Sequence, residues 1–305
     1  MPASTGTRPA SERAEQEVYK FTIVRPDSVT EAAALMADQE IDTVCYAGGT
    51  ELVPLIKLGL ARPRRLVDLK ALPELGFVEW QPARRVFRIG PLTTHRSLEH
   101  DEHVQSRCPV IRTVERQIAN ISVRNTGTIG GNISFGDPQS DITTLFTALG
   151  CQLQLTSPDG TRSLPLGGFL VAPYMTALAP GELLSAVEIG PLANGALCGY
   201  GRIAFSDRPL VSAAIKIDTD GARVARASVA IGSVVGTPHS VPDAEAHLTG
   251  GELTALPELA ADVAETVRQT VQARDDDLGS AAYKWHLAAV AVRRALNGAA
   301  QEAAL

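Results

Sequence analysis

The order of apolar and polar residues in the first quarter of the chain predicts short strands that alternate with helices. A helix carried by Ala32 to Met36 follows the first apolar run, and Ser28 or Thr30 is suited to cap it. The second apolar run ends at a glycine pair, after which apolar residues recur at helical spacing. The predicted strands of this part are Phe21 to Val24, Thr43 to Ala47 and Arg65 to Leu69.

The middle of the chain mixes the two patterns. Residues 75–91 alternate in strand fashion, whereas a helical region runs from Thr93 to about Asn120. The glycines from Gly127 to Gly136 indicate a loop or tight turns. Ile142 to Leu149 is typical of a helix, and Cys151 to Thr156 is typical of a strand that turns into a second strand.

The pattern changes near Asn194, which is the best candidate for a domain boundary. Beyond it, the hairpin signal Thr219-Asp220-Gly221 joins two apolar strands, and two helical patterns follow. These predicted elements are Val211 to Ile217, Ala225 to Ile231, Leu253 to Arg274 and Ala281 to Leu296. The sequence therefore predicts an α+β protein of two domains.

Composition and charge narrow the function classes. The chain has 305 residues and a formal net charge of −6, from 28 basic and 34 acidic residues. This balance disfavours binding to nucleic acid or to anionic membranes, both of which attract Lys and Arg. No apolar run is long enough to span a membrane. Residues 1–18 lack the apolar core of a secretion signal, so we expect a flexible tail and a cytoplasmic protein.

The cysteines are far apart in the sequence and show no CxxC spacing. This disfavours a zinc site or an iron–sulfur cluster held by this chain alone, and buried reduced thiols are expected. The cysteines are Cys45, Cys108, Cys151 and Cys198.

Two glycine pairs, each with a threonine beside it, are the most informative motifs. They are Ala47-Gly48-Gly49-Thr50 and Thr128-Ile129-Gly130-Gly131-Asn132. Glycine lets the backbone approach a ligand closely, and successive N–H groups form a concavity that suits phosphate oxygens. The first pair also precedes a helical pattern, whose N-terminus favours an anion. Two converging turns would suit a pyrophosphate, whereas the alternative is that each is only a tight turn.

A third glycine motif, Gly199 to Ala204, fits G-x-G-x-x-A. A dinucleotide fingerprint must follow a buried strand and open a helix. The residues around this match do not predict that context, because Pro209 follows soon after. We therefore do not expect a dinucleotide turn here.

Three histidines lie close together in the sequence, with acidic residues between two of them. They are His95, His100 and His103. Their spacing does not place all three on one helical face, so a metal site is disfavoured and a solvated polar stretch is expected.

No residues predict a catalytic centre. The chain has no G-x-S-x-G nucleophile elbow, and no pair of carboxylates stands out as acid and base. Asp141 follows the second glycine motif closely. Two roles remain open for it: it caps the next helix, or it accepts a hydrogen bond from a ribose hydroxyl.

At these residues the sequence resembles the FAD-binding (medium) subunits of the molybdenum hydroxylases, the family that includes carbon monoxide dehydrogenase and xanthine dehydrogenase. The resemblance covers about residues 19–298. Its strongest points are Ala47 to Leu52, Arg124 to Ile133 and the pair Ser140-Asp141.

The resemblance implies an α+β fold of two parts. Residues 19–193 would form a vanillyl-alcohol-oxidase/PCMH-type FAD-binding domain with two subdomains, at about 19–75 and 76–193. Residues 194–305 would form a carbon monoxide dehydrogenase flavoprotein-type C-terminal domain. FAD is expected between the two subdomains.

The resemblance also implies where the cofactor binds. One group of residues would wrap the pyrophosphate from one side, a second group would serve the other side, and Asp141 would lie near the adenosine ribose. Leu183 and Arg202 would lie by the flavin. No residue of this chain is expected to bind a metal. The implied cofactor-binding residues are Cys45, Tyr46, Ala47, Gly48, Gly49, Thr50, Glu51, Leu52, Ile118, Ala119, Thr128, Gly131, Asn132, Ser134, Asp141, Leu183 and Arg202.

One position departs from the family pattern. Relatives often carry Arg four residues after the position of Arg202, where this chain has Ser206, with Arg208 two residues further on. The placement of a cation beside the flavin, and the oxidant that accepts the electrons, are therefore left open.

The implied function is that of an electron-transfer oxidoreductase subunit in a heterotrimer. A large subunit would hold molybdenum with molybdopterin cytosine dinucleotide, and a small subunit would hold two [2Fe–2S] clusters. Electrons would pass from these clusters through FAD to an external acceptor, and a dimer of heterotrimers is the expected assembly. One alternative is a self-sufficient flavin oxidoreductase on the same fold. Another is a binding module that has lost FAD, which the intact glycine motifs disfavour.

Overall fold

The computed structural model describes residues 19–234 and 236–303. The predicted flexible tail, residues 1–18, lies outside the described residues. The described residues form three groups of elements, each built around one sheet, and the mixture of helices and strands confirms the predicted α+β class.

The first group is a parallel sheet in the order β1-β3-β2, with a helix after each of its first two strands. The first helix packs through Ala32 and Ala33, both fully buried. The Ser28 hydroxyl accepts the Glu31 N–H and caps this helix. The predicted strands are confirmed to within two residues. The elements are β1 (Thr22–Val24), α1 (Val29–Ala37), β2 (Thr43–Tyr46), α2 (Leu52–Lys57) and β3 (Arg65–Asp68).

The second group is an antiparallel sheet in the order β4-β5-β10-β6-β7, covered by helices. Its central strand, β10, is buried along much of its length and begins at Leu183. The elements are β4 (Val78–Gln81), β5 (Val86–Ile89), α3 (His95–His100), α4 (Glu102–Arg107), α5 (Pro109–Glu115), α6 (Ile121–Thr126), α7 (Ile129–Phe135), α8 (Asp141–Ala148), β6 (Gln152–Ser157), β7 (Gly160–Pro165), α9 (Leu166–Phe169), β8 (Leu170–Ala172), β9 (Met175–Thr176) and β10 (Leu183–Ile189).

The prediction of a loop across Gly127 to Gly136 was wrong, because α7 occupies most of it. Thr128 is the N-cap of this helix, and its side chain accepts the Gly131 N–H. The helix ends at Gly136, whose φ of 67° is left-handed. The glycines favour a loop in the sequence pattern, but the N-cap and the packing of α7 stabilise a helix.

The third group is an antiparallel sheet in the order β11-β12-β13-β14, with the long helix α12 across it. The predicted hairpin and both predicted helices are confirmed in type and position. The elements are β11 (Leu197–Ala204), β12 (Pro209–Asp220), β13 (Arg223–Gly232), β14 (His239–Ser240), α10 (Pro242–Leu248), α11 (Leu256–Thr270) and α12 (Ala281–Ala303).

The G-x-G-x-x-A motif lies in the strand β11, so the expectation that it forms no dinucleotide turn is confirmed. A Cβ atom on Gly199 would lie 1.8 Å from the carbonyl oxygen of Ala295, and one on Gly201 would lie 1.9 Å from that of Ala291. Both glycines therefore allow α12 to lie directly against β11.

Helix α8 joins the second and third groups, because it packs against both β12 and β13. The Thr144 and Ser212 hydroxyls are hydrogen-bonded at 3.0 Å in this buried contact. The contact brings the start of β12 close to the start of α8. In the part of the chain that the structure describes, no helix has the length and apolar character that a membrane crossing requires.

Candidate functional site

A cleft of about 600 Å³ is bordered by residues from all three groups of elements. This volume lies within the range of small-molecule and cofactor sites. Every residue predicted to bind the cofactor lines the cleft except Tyr46 and Arg202. Residues separated by more than a hundred positions in the sequence therefore meet at one surface.

The first glycine motif forms a loop at the edge of the cleft. The backbone N–H groups of residues 48 to 52 have no hydrogen-bond acceptor among the described residues. Helix α2 begins only at Leu52, so the loop itself, more than a helix end, presents these donors. Gly49 has a φ of 74°, which a residue with a side chain adopts only with strain. Such a run of free N–H groups suits an anion.

Tyr46 supports this loop from outside the cleft. A Cβ atom on Gly49 would lie 2.5 Å from the Tyr46 ring, so the ring packs directly against the glycine. The Lys70 ammonium lies 3.3 Å from the centroid of the same ring. The position of Tyr46 assigns it to the support of the loop, not to the wall of the cleft.

The second glycine motif differs from the expectation of a second anion-binding turn. The N–H groups of Ile129 and Gly130 are hydrogen-bonded to the carbonyl oxygens of Thr93 and Pro91, each at 2.9 Å. The Gly131 N–H is held by the Thr128 hydroxyl oxygen at 3.0 Å. These backbone donors are therefore already used, and the backbone part of the prediction was wrong.

The glycines of the second motif serve close packing instead. A Cβ atom on Gly130 would lie 2.4 Å from Pro91. Side chains remain as donors at this wall, because the Asn132 amide oxygen accepts from Ser140 at 2.6 Å while no partner occupies its nitrogen among the described residues. The Thr128 hydroxyl likewise retains its hydrogen.

Asp141 does not cap its helix, so that alternative is wrong. Ser140 is the N-cap and accepts the Thr143 N–H, while Asp141 is the first helical residue. The Tyr200 hydroxyl donates to Asp141 Oδ1 at 2.6 Å, and Arg202 Nε donates to the same oxygen at 3.1 Å. Burial raises the pKa of Asp141 to about 6, against the opposing effect of both donors.

Arg202 meets Asp141 and also donates to the carbonyl oxygen of Asp207. It does not line the cleft. The arginine that does is Arg208, which lies 2.9 Å from Glu51 and 3.2 Å from Asp137. In the sequence, Arg208 stands out only as a neighbour of Ser206. The contact of Arg208 with Glu51, in the first glycine loop, forms only when the chain is folded.

The charged side chains of the cleft wall are mostly acidic. Arg208 is the only Lys or Arg among the described residues that line it. Its positive charge is already shared by two carboxylates. The acidic residues of the wall are Glu51, Asp137, Asp141, Glu182 and Asp207.

His95 also lines the cleft, and the expectation of a solvated polar stretch was wrong for it. His95 is 3% exposed, and its Nδ1 lies 2.8 Å from Oε2 of the fully buried Glu115. Burial raises the pKa of the Glu115 carboxyl. His100 and His103 are exposed as expected. Local spacing gave no signal for this pair, because its partners come from different helices.

Cys45 lines the cleft without reactive character. Burial raises the pKa of its thiol to about 12, so the thiol remains protonated at neutral pH. All the cysteines are free, which confirms the expectation of reduced thiols. The described residues contain no cluster of side chains suited to hold a metal ion.

Two known protein families match the chain. The family described as "FAD binding domain in molybdopterin dehydrogenase" matches residues 19–192. The family described as "CO dehydrogenase flavoprotein C-terminal domain" matches residues 202–299.

Individual relatives match over nearly their whole length. The carbon monoxide dehydrogenase medium chain of Afipia carboxidovorans is 33% identical, covering 92% of this chain and 96% of the relative. The nicotine 6-hydroxylase medium subunit of Paenarthrobacter nicotinovorans is 32% identical, covering 89% and 94%. A chain of carbon monoxide dehydrogenase from Hydrogenophaga pseudoflava has a TM-score of 0.87 at 32% identity, covering 93% of this chain and 98% of that chain.

Proposed function

The chain belongs to the family of FAD-binding medium subunits of molybdenum hydroxylases, and from this premise we propose that it relays electrons within such a complex. It is the flavoprotein subunit of an oxidoreductase. The proposed donor is a pair of [2Fe–2S] clusters on a small partner subunit, and the proposed acceptor is external to the complex.

The residues of the cleft fit FAD. The loop of residues 48 to 52 offers unpaired N–H groups to an anion, and the absence of side chains on Gly48 and Gly49 leaves the backbone accessible. The lining of the cleft also offers apolar surface from Ile118, Ala119 and Leu183. A site with anion-binding backbone on one side and apolar surface on another suits a molecule with a pyrophosphate and a flat ring system.

We assign a cofactor-binding role to these residues in groups. The loop would bind the pyrophosphate, with side-chain donors from the second glycine motif on its other side. Asp141 Oδ2, which has no partner among the described residues, is oriented by the two donors on Oδ1 and would accept from a ribose hydroxyl. Tyr46 and Arg202 would act indirectly, through the loop and through Asp141.

Bound FAD supplies the ability to exchange electrons one or two at a time. The chain's own residues bind it, orient it and exclude water around it. The buried side chains of Ile118 and Leu183 would limit access of water to the ring system. No residue of this chain is assigned a catalytic role.

The observation that carries the relay function is the extent of the match. The relatives matched over nearly all of their length are named medium chain or medium subunit, so each is one chain of a larger complex. We propose a large partner subunit that holds molybdenum with molybdopterin cytosine dinucleotide, a small iron–sulfur partner, and a dimer of heterotrimers. We also propose that residues 19–193 and 194–305 form two domains. In support, most residues of one buried core precede residue 193, and the residues of a second buried core follow it.

An affinity purification of the tagged protein from its native host tests this function. The eluate is analysed by visible spectroscopy, metal analysis and gel electrophoresis. Flavin together with iron, molybdenum, a small chain and a large chain is the expected result. Flavin with substrate turnover by the single chain would instead establish the self-sufficient flavin oxidoreductase and overturn the relay.

A further inference from the structure

The buried pair of His95 and Glu115 has no role in the site as described so far. The pair lies beside Gly127, the residue that directly precedes the second glycine motif. The backbone N–H of His95 donates to the carbonyl oxygen of Gly127 at 3.1 Å. Glu115 Oε1 is buried and has no hydrogen-bond partner among the described residues. A buried carboxyl with one oxygen unpaired is costly, so its retention next to a ligand cleft calls for a physical reason.

The imidazole edge that does not face Glu115 lies at the cleft. His95 Nδ1 is engaged by Glu115, whereas Nε2 has no partner among the described residues. A Cβ atom on Gly127 would lie 3.3 Å from His95 Cδ2 and 3.4 Å from Thr50 Oγ1. The free imidazole edge and Thr50 therefore lie on the same side of Gly127, beside the loop whose N–H groups are unpaired.

The charge of the cleft gives this edge a function. A pyrophosphate carries negative charge, yet the wall is mostly acidic and its one arginine is shared by Glu51 and Asp137. An imidazole N–H can donate to a phosphate oxygen without adding negative charge to the cleft.

We propose that His95, held in place by Glu115, donates a hydrogen bond from Nε2 to a phosphate oxygen of the bound FAD. The inference rests on the proposed FAD site and adds a cofactor-binding residue to it. Glu115 serves as the positioning residue, because its bond to Nδ1 directs the other ring nitrogen towards the cleft.

The protonation of the pair as a unit explains the buried carboxyl. When the pair holds two protons, Nε2 carries a hydrogen whether the shared proton lies on Nδ1 or on Glu115. Loss of one proton leaves Nδ1 donating to Glu115 and leaves Nε2 as an acceptor, which a phosphate oxygen does not favour. FAD affinity is therefore expected to fall as the pH is raised.

Most other charged groups on the elements around the pair form ion pairs. On the same helix as His95, Glu99 pairs with Arg96 at 3.1 Å. Glu99 also lies 3.6 Å from Arg124 of α6 and 4.0 Å from Arg116, which directly follows α5. The Nε atom of Arg112, in α5, is buried and has no hydrogen-bond partner in the part of the chain that the structure describes. Helix α4 contributes only exposed charges, and Asp141 of α8 is held by Tyr200 and Arg202.

The test measures the dissociation constant of FAD from the full chain between about pH 6 and pH 9, with flavin fluorescence as the signal. The variants are His95→Leu, which removes the donor, and His95→Gln, whose amide is a donor at every pH. His103→Gln is the matched control, because His103 is exposed and outside the cleft. Thermal unfolding of each flavin-free variant shows whether it folds.

We expect the affinity for FAD to fall as the pH rises in both the wild type and the His103→Gln control. His95→Leu should bind FAD about ten- to a hundredfold more weakly at pH 6, the effect of one charge-assisted hydrogen bond, with the difference shrinking towards pH 9. His95→Gln should retain affinity with a flatter profile. A wild-type profile that does not change with pH would overturn the inference, as would a constant offset for His95→Leu. Absence of FAD binding by the wild type at every pH would overturn the proposed function instead.

Discussion

Gly48 lies against the carbonyl oxygen of Thr126, which is 2.2 Å from the position that a Cβ atom on residue 48 would occupy. The two glycine motifs therefore meet in direct backbone contact, through Gly48 of the first and the residues just before the second. Close approach of the two segments is consistent with both motifs lining the same cleft.

Gly48→Ala should abolish or strongly weaken FAD binding. The added methyl group overlaps a backbone oxygen, so the loop must move away from the Thr126 segment and its N–H groups lose their arrangement. FAD content after purification and the dissociation constant measure the effect. Gly167→Ala is the control, because nothing lies within 4 Å of the Cβ it would add. Stoichiometric FAD in Gly48→Ala would contradict the proposed role of the loop.

Arg208→Ala should weaken FAD binding by about tenfold at low salt. The change leaves Glu51 and Asp137 uncompensated at the edge of the cleft that we propose binds FAD. Because Arg208 is partly exposed, the loss should shrink as ionic strength rises. Titration with FAD at low and high salt measures both effects. Arg223→Ala, which breaks an exposed pair with Glu252, is the control. An equal effect of the two variants would refute a specific role for Arg208.

Asp141→Asn should change how stability depends on pH. The pKa of Asp141 is raised from 3.8 to about 6, so between these values the native state holds more protons than the unfolded state. The free energy of unfolding contributed by Asp141 is therefore greatest below about pH 4 and falls as the pH rises through 6. Asparagine retains an acceptor for Tyr200 and Arg202 but never carries the buried charge.

The flavin-free variant should match the wild type near pH 4 and be more stable at pH 7.5, by up to about 3 kcal/mol for a shift of this size. Urea unfolding at both pH values gives the comparison. Asp159→Asn, at an exposed turn, should show no such difference. A variant less stable than the wild type at pH 7.5 would mean that the charge of Asp141 stabilises the fold.

Replacing each of two glycines at the contact between α12 and β11 by alanine should change the stability of the protein in opposite directions. Gly201→Ala places a methyl group 1.9 Å from the Ala291 carbonyl oxygen, and we expect a loss of stability of about 1–3 kcal/mol or more. Gly298→Ala lies within helix α12, and its nearest neighbour would be Gly199 Cα at 3.7 Å. Here we expect a gain of about 0.5–1 kcal/mol from helix propensity. Urea unfolding measures both, and a loss in Gly298→Ala would show that α12 lies closer to β11 than this spacing.

Local pattern predicted most elements of the fold. Apolar runs such as Thr43 to Ala47 have strand length, and helix α1 has its cap at the predicted Ser28. These features depend on neighbours in the sequence, so reading along the chain is sufficient. The same reading failed at α7, whose cap and packing outweigh the low helix propensity of its two glycines.

The sequence by itself determined the α+β class from its local patterns. Through its resemblance to a known family, it also gave the family and most, but not all, of the residues that line the cleft. Only the tertiary structure decided which of the glycine N–H groups are free, that Asp141 is held by Arg202, and that His95 is buried on Glu115. The last two relationships join residues sixty-one and twenty positions apart through hydrogen bonds and burial. Local spacing does not encode such partners, since each exists only when packed elements exclude water from both groups.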